Sequence, residues 1–422
     1  MSNYIMSLKT GFLVIAVGVI INTTVFVPVH AEPMPSLTEC VSYTITNPEL
    51  LRLQEQKVRQ VSEHIGQAQG DQFPDIRAGY KNYLTGIISS RMADVNEPKI
   101  TVTQPLYYGG KKKVAVQSAE HELTREKMLL ESVKRDIAAG VTETFYNIAE
   151  YDIDIRNTDE TIELLRKRVK ELSDRVRIGK SRESEVLTLE YRISQFLAQR
   201  EQLVYNRKTS LETLAYYTGK SFDGINYTVN AGSVTAVTFE DCCSNIRGRS
   251  DLKMLKEELE LQSLRVLTAK AGLLPSVSLT NSWNLWKLVE DGTGWDLTLS
   301  IDYPLYRGGM IKSLVKEEEI KKSIVEEQIA RKERDIRLEL TRIYNNYSSA
   351  IAQISPLRNA YEKSVKNYEL QLQDYKYSLV NNLEVLTAMT TMLELKRAAD
   401  RAEVQVGYNA SMLRVLTEQF GM

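Results

Sequence analysis

One six-residue string, met twice, constrains this chain more than any other feature. Pro105-Leu106-Tyr107-Tyr108-Gly109-Gly110 closes an alternating run and opens a very long helical pattern. It returns as Pro304-Leu305-Tyr306-Arg307-Gly308-Gly309, and 304 − 105 = 199 residues separate the copies. In each copy a proline, having no N–H for a sheet ladder, is expected to end a strand. The glycine pairs Gly109-Gly110 and Gly308-Gly309 then release the backbone before helix begins. A strand-to-helix joint repeated half a chain apart predicts two similar halves. Arg135-Asp136-Ile137 and Arg334-Asp335-Ile336 recur at the same offset.

The first half follows an export segment. Lys9 precedes an apolar run from Gly11 to Ile21, and Val29-His30-Ala31 sets small residues before a cut at Glu32. Residues 1–31 therefore read as a signal peptide. The rival is a retained anchor, for which the run is short. The residue directly after the cut is Glu32 rather than a cysteine that could accept a lipid, and no later stretch holds roughly 18 consecutive apolar residues.

The first repeat, 32–218, opens with a helix expected from Ser36 to about Gly70, carried by Leu50, Leu51, Leu53, Val58, Val61 and Ile65. Strands are expected at about 76–85 and 100–106, a long helix at about 110–178 and a return helix at about 183–217. A linker, 219–238, follows, in which Asn226-Tyr227-Thr228-Val229 could add a short strand. The second repeat, 239–422, predicts a helix to about Ala271 and strands at 277–288 and 295–305 joined by Glu290-Asp291-Gly292. A helix at about 309–378 and a return helix at about 383–418 complete it. Each long helix would run about 105 Å, too long to stand without neighbours, and Pro356 should kink the second.

Composition excludes several functions. With 54 basic against 55 acidic residues no nucleic-acid footprint stands out. His30, His64 and His121 are the only histidines, and none sits in a metal or nucleophile motif, so neither an enzyme nor a cofactor is expected. Cys40, Cys242 and Cys243 are expected to stay free, buried thiols.

The last strand is the clearest. Trp295, Leu297, Leu299 and Ile301 fall on one face, with Asp296, Thr298, Ser300 and Asp302 on the other. Isolated hairpins flanked by long helices are marginal in water. Strands of about ten residues, apolar on one side and aromatic at their ends, fit an outer-membrane barrel, with Trp295, Leu297, Leu299 and Ile301 facing lipid. Tyr80, Tyr83, Tyr107, Tyr108, Trp283, Trp286, Tyr303 and Tyr306 would join Trp295 at the interfaces. Four strands cannot close a barrel, and lipid forbids open edges, so chains must share one. Two chains give eight strands and a filled interior; three give twelve and a lumen.

In this order and spacing the motifs resemble the TolC-like outer-membrane efflux protein family over essentially the whole mature length. The features are the twofold repeat, the Pro-Leu-Tyr-x-Gly-Gly joints, and the turns Gly179…Glu185-Val186-Leu187 and Leu383-Glu384-Val385-Leu386. The resemblance implies a mainly α fold with a transmembrane β portion: a trimeric twelve-stranded β-barrel continued by a periplasmic α-barrel. It implies the exit duct of a tripartite efflux pump or type I secretion system, seated in outer-membrane lipid. Cargo would pass passively, and a periplasmic adaptor (membrane fusion) protein and an inner-membrane pump would be the partners.

The resemblance also places a gate at the periplasmic tip. Glu384 matches the first acid of an acidic-x-x-acidic pattern, while Thr387 departs from the second. Three Glu384 carboxylates around one axis would attract cations; alternatively Glu384 is a helix-start acid favoured by the dipole. Tyr375 and Glu185, with Ser184 beside it, match a tyrosine–acid latch, although Ser378 replaces the turn glycine and Val380 the arginine. Tyr375 packing between helices is the competing reading. A periplasmic adaptor or structural coiled-coil protein without a pore is the alternative for the whole chain. It leaves the repeated aromatic-rimmed strand pairs unexplained.

Overall fold

The computed structural model describes residues 34–83, 95–227, 238–244, 246–285 and 294–418. The signal peptide, Leu84-Thr85, Thr228-Val229, Trp286 and the turn Glu290-Asp291-Gly292 lie outside them.

The expected opening helix is two helices, α1 (Leu37–Thr46) and α2 (Pro48–Gly70). Pro48 disfavours helical backbone at Asn47 and starts the next helix at its first position. The Asn47 side chain caps α2 by accepting the Glu49 N–H at 3.1 Å. The second half breaks at the same place. There α5 (Phe239–Ser244) and a 3-10 turn at Ile246–Gly248 precede α6 (Ser250–Lys270) and a second 3-10 turn at Ala271–Leu273.

The long helices α3 (Lys111–Arg177) and α7 (Met310–Lys376) each contain 67 residues, about 100 Å at 1.5 Å per residue. The return helices are α4 (Glu183–Thr218) and α8 (Asn382–Leu416). Such lengths hold together by packing: α3 pairs with α4, α7 with α8, and α3 lies against α8 as well. Pro356 sits inside α7, and the helix continues on both sides of it. Close approach explains two helical glycines. A Cβ on Gly140 would lie 2.8 Å from the Tyr217 hydroxyl, and one on Gly407 2.9 Å from the Tyr146 ring. Among the described residues no helix is long and apolar enough to cross a membrane.

Two apolar clusters sit at mid-height. One joins Val141, Phe145 and Ile148 of α3 to Cys40 and Leu214; the other joins Ile336 and Leu340 of α7 to Cys242, Leu252 and Leu413. Val404 and Val415 of α8 complete the first cluster, so the two halves share packing there. Cys40, Cys242 and Cys243 form no disulfide; the first two are buried, while Cys243, expected to be buried, is only partly so. Burial among apolar side chains pushes the Cys40 thiol up to about 12, so it stays uncharged.

The strands are β1 (Asp75–Tyr83), β2 (Val95–Tyr108), β3 (Ser276–Asn284) and β4 (Trp295–Asp302). The hairpins are not isolated. β2 pairs antiparallel with β3, giving one four-stranded sheet in the order β1-β2-β3-β4. Nor does Pro105 end its strand: β2 runs on to Tyr108, with a bulge between Pro105 and Tyr107. β1 stops opposite Thr103, so Pro105 lies where β2 faces only β3, a place that needs one fewer donor. In the second half β4 stops at Asp302, before Pro304. The glycine pairs that follow all have positive φ, 61° and 84° at Gly109 and Gly110, 57° and 81° at Gly308 and Gly309.

The two helix turns differ by one residue that matters. Gly179 ends α3 with φ 73°, and Ser378, at the equivalent place after α7, holds φ 59°. Leu379 N–H donates to Asp374 O at 3.0 Å and Lys180 N–H to Arg175 O at 2.8 Å, so both ends close the same way. A non-glycine residue pays a steric cost there. Ser378→Gly is therefore expected to stabilise the protein by roughly 1 kcal/mol, read as a raised midpoint in chemical denaturation.

Candidate functional site

The strand register sorts the sheet into two faces. Directly paired residues share a face, so Ile76 and Ala78 of β1 lie with Ile100 and Val102 of β2. Continuing across, Trp283, Leu279 and Val277 of β3 lie with Trp295, Leu299 and Ile301 of β4, and Leu297 pairs with Asn281. The other face carries Arg77, Thr101, Thr103, Ser282, Thr280, Thr298 and Ser300. Trp295, Leu297, Leu299 and Ile301 are all more than half exposed, as is Ile76 on β1. A sheet with an uncovered apolar face and two unpaired edges, β1 and β4, is unfinished as it stands.

At the far end of the 67-residue helices, the α3–α4 and α7–α8 turns pack into one tip. Leu165, Leu172 and Leu189 of the first hairpin meet Tyr375, Val385, Leu386 and Met389 of the second. Tyr375 is buried, and its ring lies between two guanidiniums, Arg168 at 4.2 Å and Arg175 at 4.3 Å from the ring centroid. Arg175 also donates to the Tyr375 carbonyl at 3.3 Å, and Arg168, itself buried, donates to Asn382 Oδ1 at 3.1 Å. These contacts fasten one hairpin to the other.

The expected Tyr375–Glu185 hydrogen bond is not made. Glu185 accepts instead from Ser181 within its own turn, and the Tyr375 ring is taken by the two arginines. Ser184 is exposed, its carbonyl accepting from Thr188. Glu384 is exposed at the start of α8 in a capping box: its N–H donates to Asn381 Oδ1 at 3.0 Å, and its carboxylate accepts the Asn381 N–H at 3.3 Å. Thr387, one turn on, donates to the Leu383 carbonyl. Asn381-x-x-Glu384 is a readable capping signature; Arg168 and Arg175, seven residues apart on one helix face, gave no signal of their partner.

A third feature joins the halves at mid-height. Asp251 of α6, almost wholly buried, accepts from Arg249 at 2.8 Å and lies 3.0 Å from Arg135 of α3 and 3.3 Å from Lys332 of α7. Burial alone would raise its pKa. The Arg249 hydrogen bonds and the charges of Arg249, Arg135 and Lys332 outweigh that and hold it down at about 2. Glu418, beyond α8, closes the group by accepting from the Ser250 N–H and hydroxyl and facing Arg135.

The sequence matches the family model described as "Outer membrane efflux protein" over residues 42–220 and 246–416, which is most of both halves. Comparison with curated proteins returns no match. Among solved structures, the fold resembles the outer membrane protein VceC from Vibrio cholerae, with TM-score 0.79 and 15% identity over 90% of this chain and 96% of that one. CusC gives TM-score 0.82 and 16% identity over 90% and 92%. The open-state MtrE outer membrane channel of Neisseria gonorrhoeae gives 0.76 and 15% over 92% and 90%. At these identities the solved structures establish the fold, and the family model establishes descent. The chain belongs to the outer membrane efflux protein family, the channels of the bacterial outer membrane that reach into the periplasm.

Proposed function

We propose that three copies of this chain close a twelve-stranded barrel and form the exit duct of a tripartite efflux pump or type I secretion system. One observation carries the reading: a two-faced, four-stranded sheet with both edges unpaired, attached to helices about 100 Å long. Pairing β4 of each copy with β1 of the next removes every edge. Twelve strands leave a lumen lined by the Thr280, Thr298 and Ser300 face, and cargo crosses it passively toward the exterior. An adaptor protein and an inner-membrane pump would engage the helical end. The pore-less adaptor alternative leaves the uncovered apolar face without a medium. Cross-linking of cysteines placed at Arg77 and Ser300 tests the closure. Trimers joined through β1 and β4 are expected, and monomers alone would refute it.

The tip supports a gate made differently from the expected latch. The two stacked arginines, rather than a Tyr375 hydroxyl bond, hold the hairpins together. Tyr375→Phe keeps a ring between them and should leave the resting conductance unchanged, whereas Tyr375→Leu should raise it. Glu384→Gln preserves the capping-box geometry and removes only the charge. It should fold and assemble normally yet lose block by divalent cations, if three carboxylates converge on the axis. Single-channel recording in planar bilayers reads both. Undiminished cation block would leave Glu384 as a helix cap alone.

A further inference from the structure

Reading the chain as a duct leaves one cavity without a role. It measures about 570 Å³ and lies where α6 ends and α7 begins, beside the ends of β2, β3 and β4. Its strand-end residues are Tyr108, Ser276 and Asp302, and the register places all three on the polar face of the sheet, the face assigned to the lumen. The corresponding joint of the first half encloses only about 230 Å³, beside Pro105, Leu106 and Tyr107. The strands differ at the two joints: β2 runs on to Tyr108, while β4 stops at Asp302.

One wall is apolar, built from Ala271, Leu274, Ile311 and Leu314. The charges are uneven. Glu318 is occupied, accepting from Gln262 at 2.6 Å and pairing with Lys321 at 2.8 Å, and Arg265 is engaged by Gln262 at 3.0 Å. Among the described residues Lys111 and Arg307 form no ion pair, and they face a single unengaged carboxylate, Asp302. Space for a body of drug-like size, an apolar wall and surplus cations at the rim match an amphiphile with an anionic head.

We propose, on the basis of the duct reading, that this cavity is a resting site for amphiphilic organic anions passing from the helical tube into the barrel. The apolar body lies against Leu274, Ile311 and Leu314, and the anionic head meets Lys111 and Arg307. Each trimer would carry three such sites, arranged as a ring at the barrel's periplasmic mouth.

The test uses the full-length protein in planar bilayers, with 8-anilinonaphthalene-1-sulfonate as probe and uncharged N-phenyl-1-naphthylamine as its control. The sulfonate should interrupt the single-channel current in a concentration-dependent way, and the uncharged analogue about tenfold more weakly. The Lys111→Gln/Arg307→Gln double variant, altered only at exposed positions, should still assemble into open channels and weaken the sulfonate block about tenfold. Open channels blocked equally by both compounds, or a double variant blocked like the parent, would overturn the site while leaving the duct intact. Absence of any channel would overturn the duct reading, and the site with it.

Discussion

Leu299→Arg should keep the protein out of the outer membrane, while Ser300→Arg one residue away should insert and change only the conductance. Leu299 pairs with Leu279 on the apolar face, and Ser300 pairs with Ser278 on the polar one. A guanidinium on the lipid side near mid-membrane costs about 2–4 kcal/mol, and assembly of three chains would incur it three times. On the lumen side the same group stays hydrated and adds a positive charge to the pore wall. Outer-membrane fractionation and the yield of detergent-resistant trimers measure the first effect, and anion selectivity the second. Similar losses at the two positions would mean that the sheet does not separate lipid from water.

The second large effect is expected far from the membrane. Asp251→Ala removes the one carboxylate shared by Arg135, Arg249 and Lys332. Arg135 and Arg249 are both buried, so their guanidiniums would then face each other without that counter-charge. Breaking a buried pair in this way costs about 3–5 kcal/mol. The loss should appear in chemical denaturation as a lowered midpoint with α3, α6 and α7 loosened together. The same group predicts a pH dependence. Because the folded protein holds Asp251 below its ordinary value of 3.8, at about 2, its contribution is complete above pH 4. It is lost as the pH falls toward 2, where the folded state also takes up the proton. Asp251→Asn should be less stable at neutral pH and lose less between pH 4 and pH 2 than the parent. A parallel pH profile in the two proteins would show that another carboxylate carries the acid sensitivity.

Local signals told much of this fold. Alternation over Trp295–Ile301 and helical spacing after Gly110 and Gly309 follow from the backbone's own periods, two and 3.6. They gave the strand faces and the two equal helices without reference to any neighbour. The break at Asn47-Pro48 was equally local, yet the apolar spacing continues through it and masks the cap. Asn381 and Glu384 show the converse, a local capping signature overshadowed by a functional reading of the same acid.

The tip was less legible. Glu185 and Tyr375 were linked by resemblance, but a side chain takes the strongest partner its neighbours place within reach. Here Ser181 lies one turn from Glu185, and Arg168 and Arg175 lie on the helix facing Tyr375. Which of two facing helices presents its arginines depends on rotation and axial shift, which spacing within one helix does not contain. The same limit applies to Asp251, whose partners come from 116 residues before it (251 − 135) and 81 after it (332 − 251).

The sequence alone therefore determined the pieces. These are two long helices of about seventy residues, found with 67, four strands with one apolar face, and paired-glycine joints, found with positive φ. Each depends on residues close together in the chain, where sterics and side-chain period suffice. Only the tertiary structure decided that β2 pairs with β3 to make one open sheet, that β2 continues past Pro105, and that two arginines clasp Tyr375. Those outcomes rest on contacts between segments some 170 to 200 residues apart, and their geometry is set by packing between the two halves rather than by either half's own pattern.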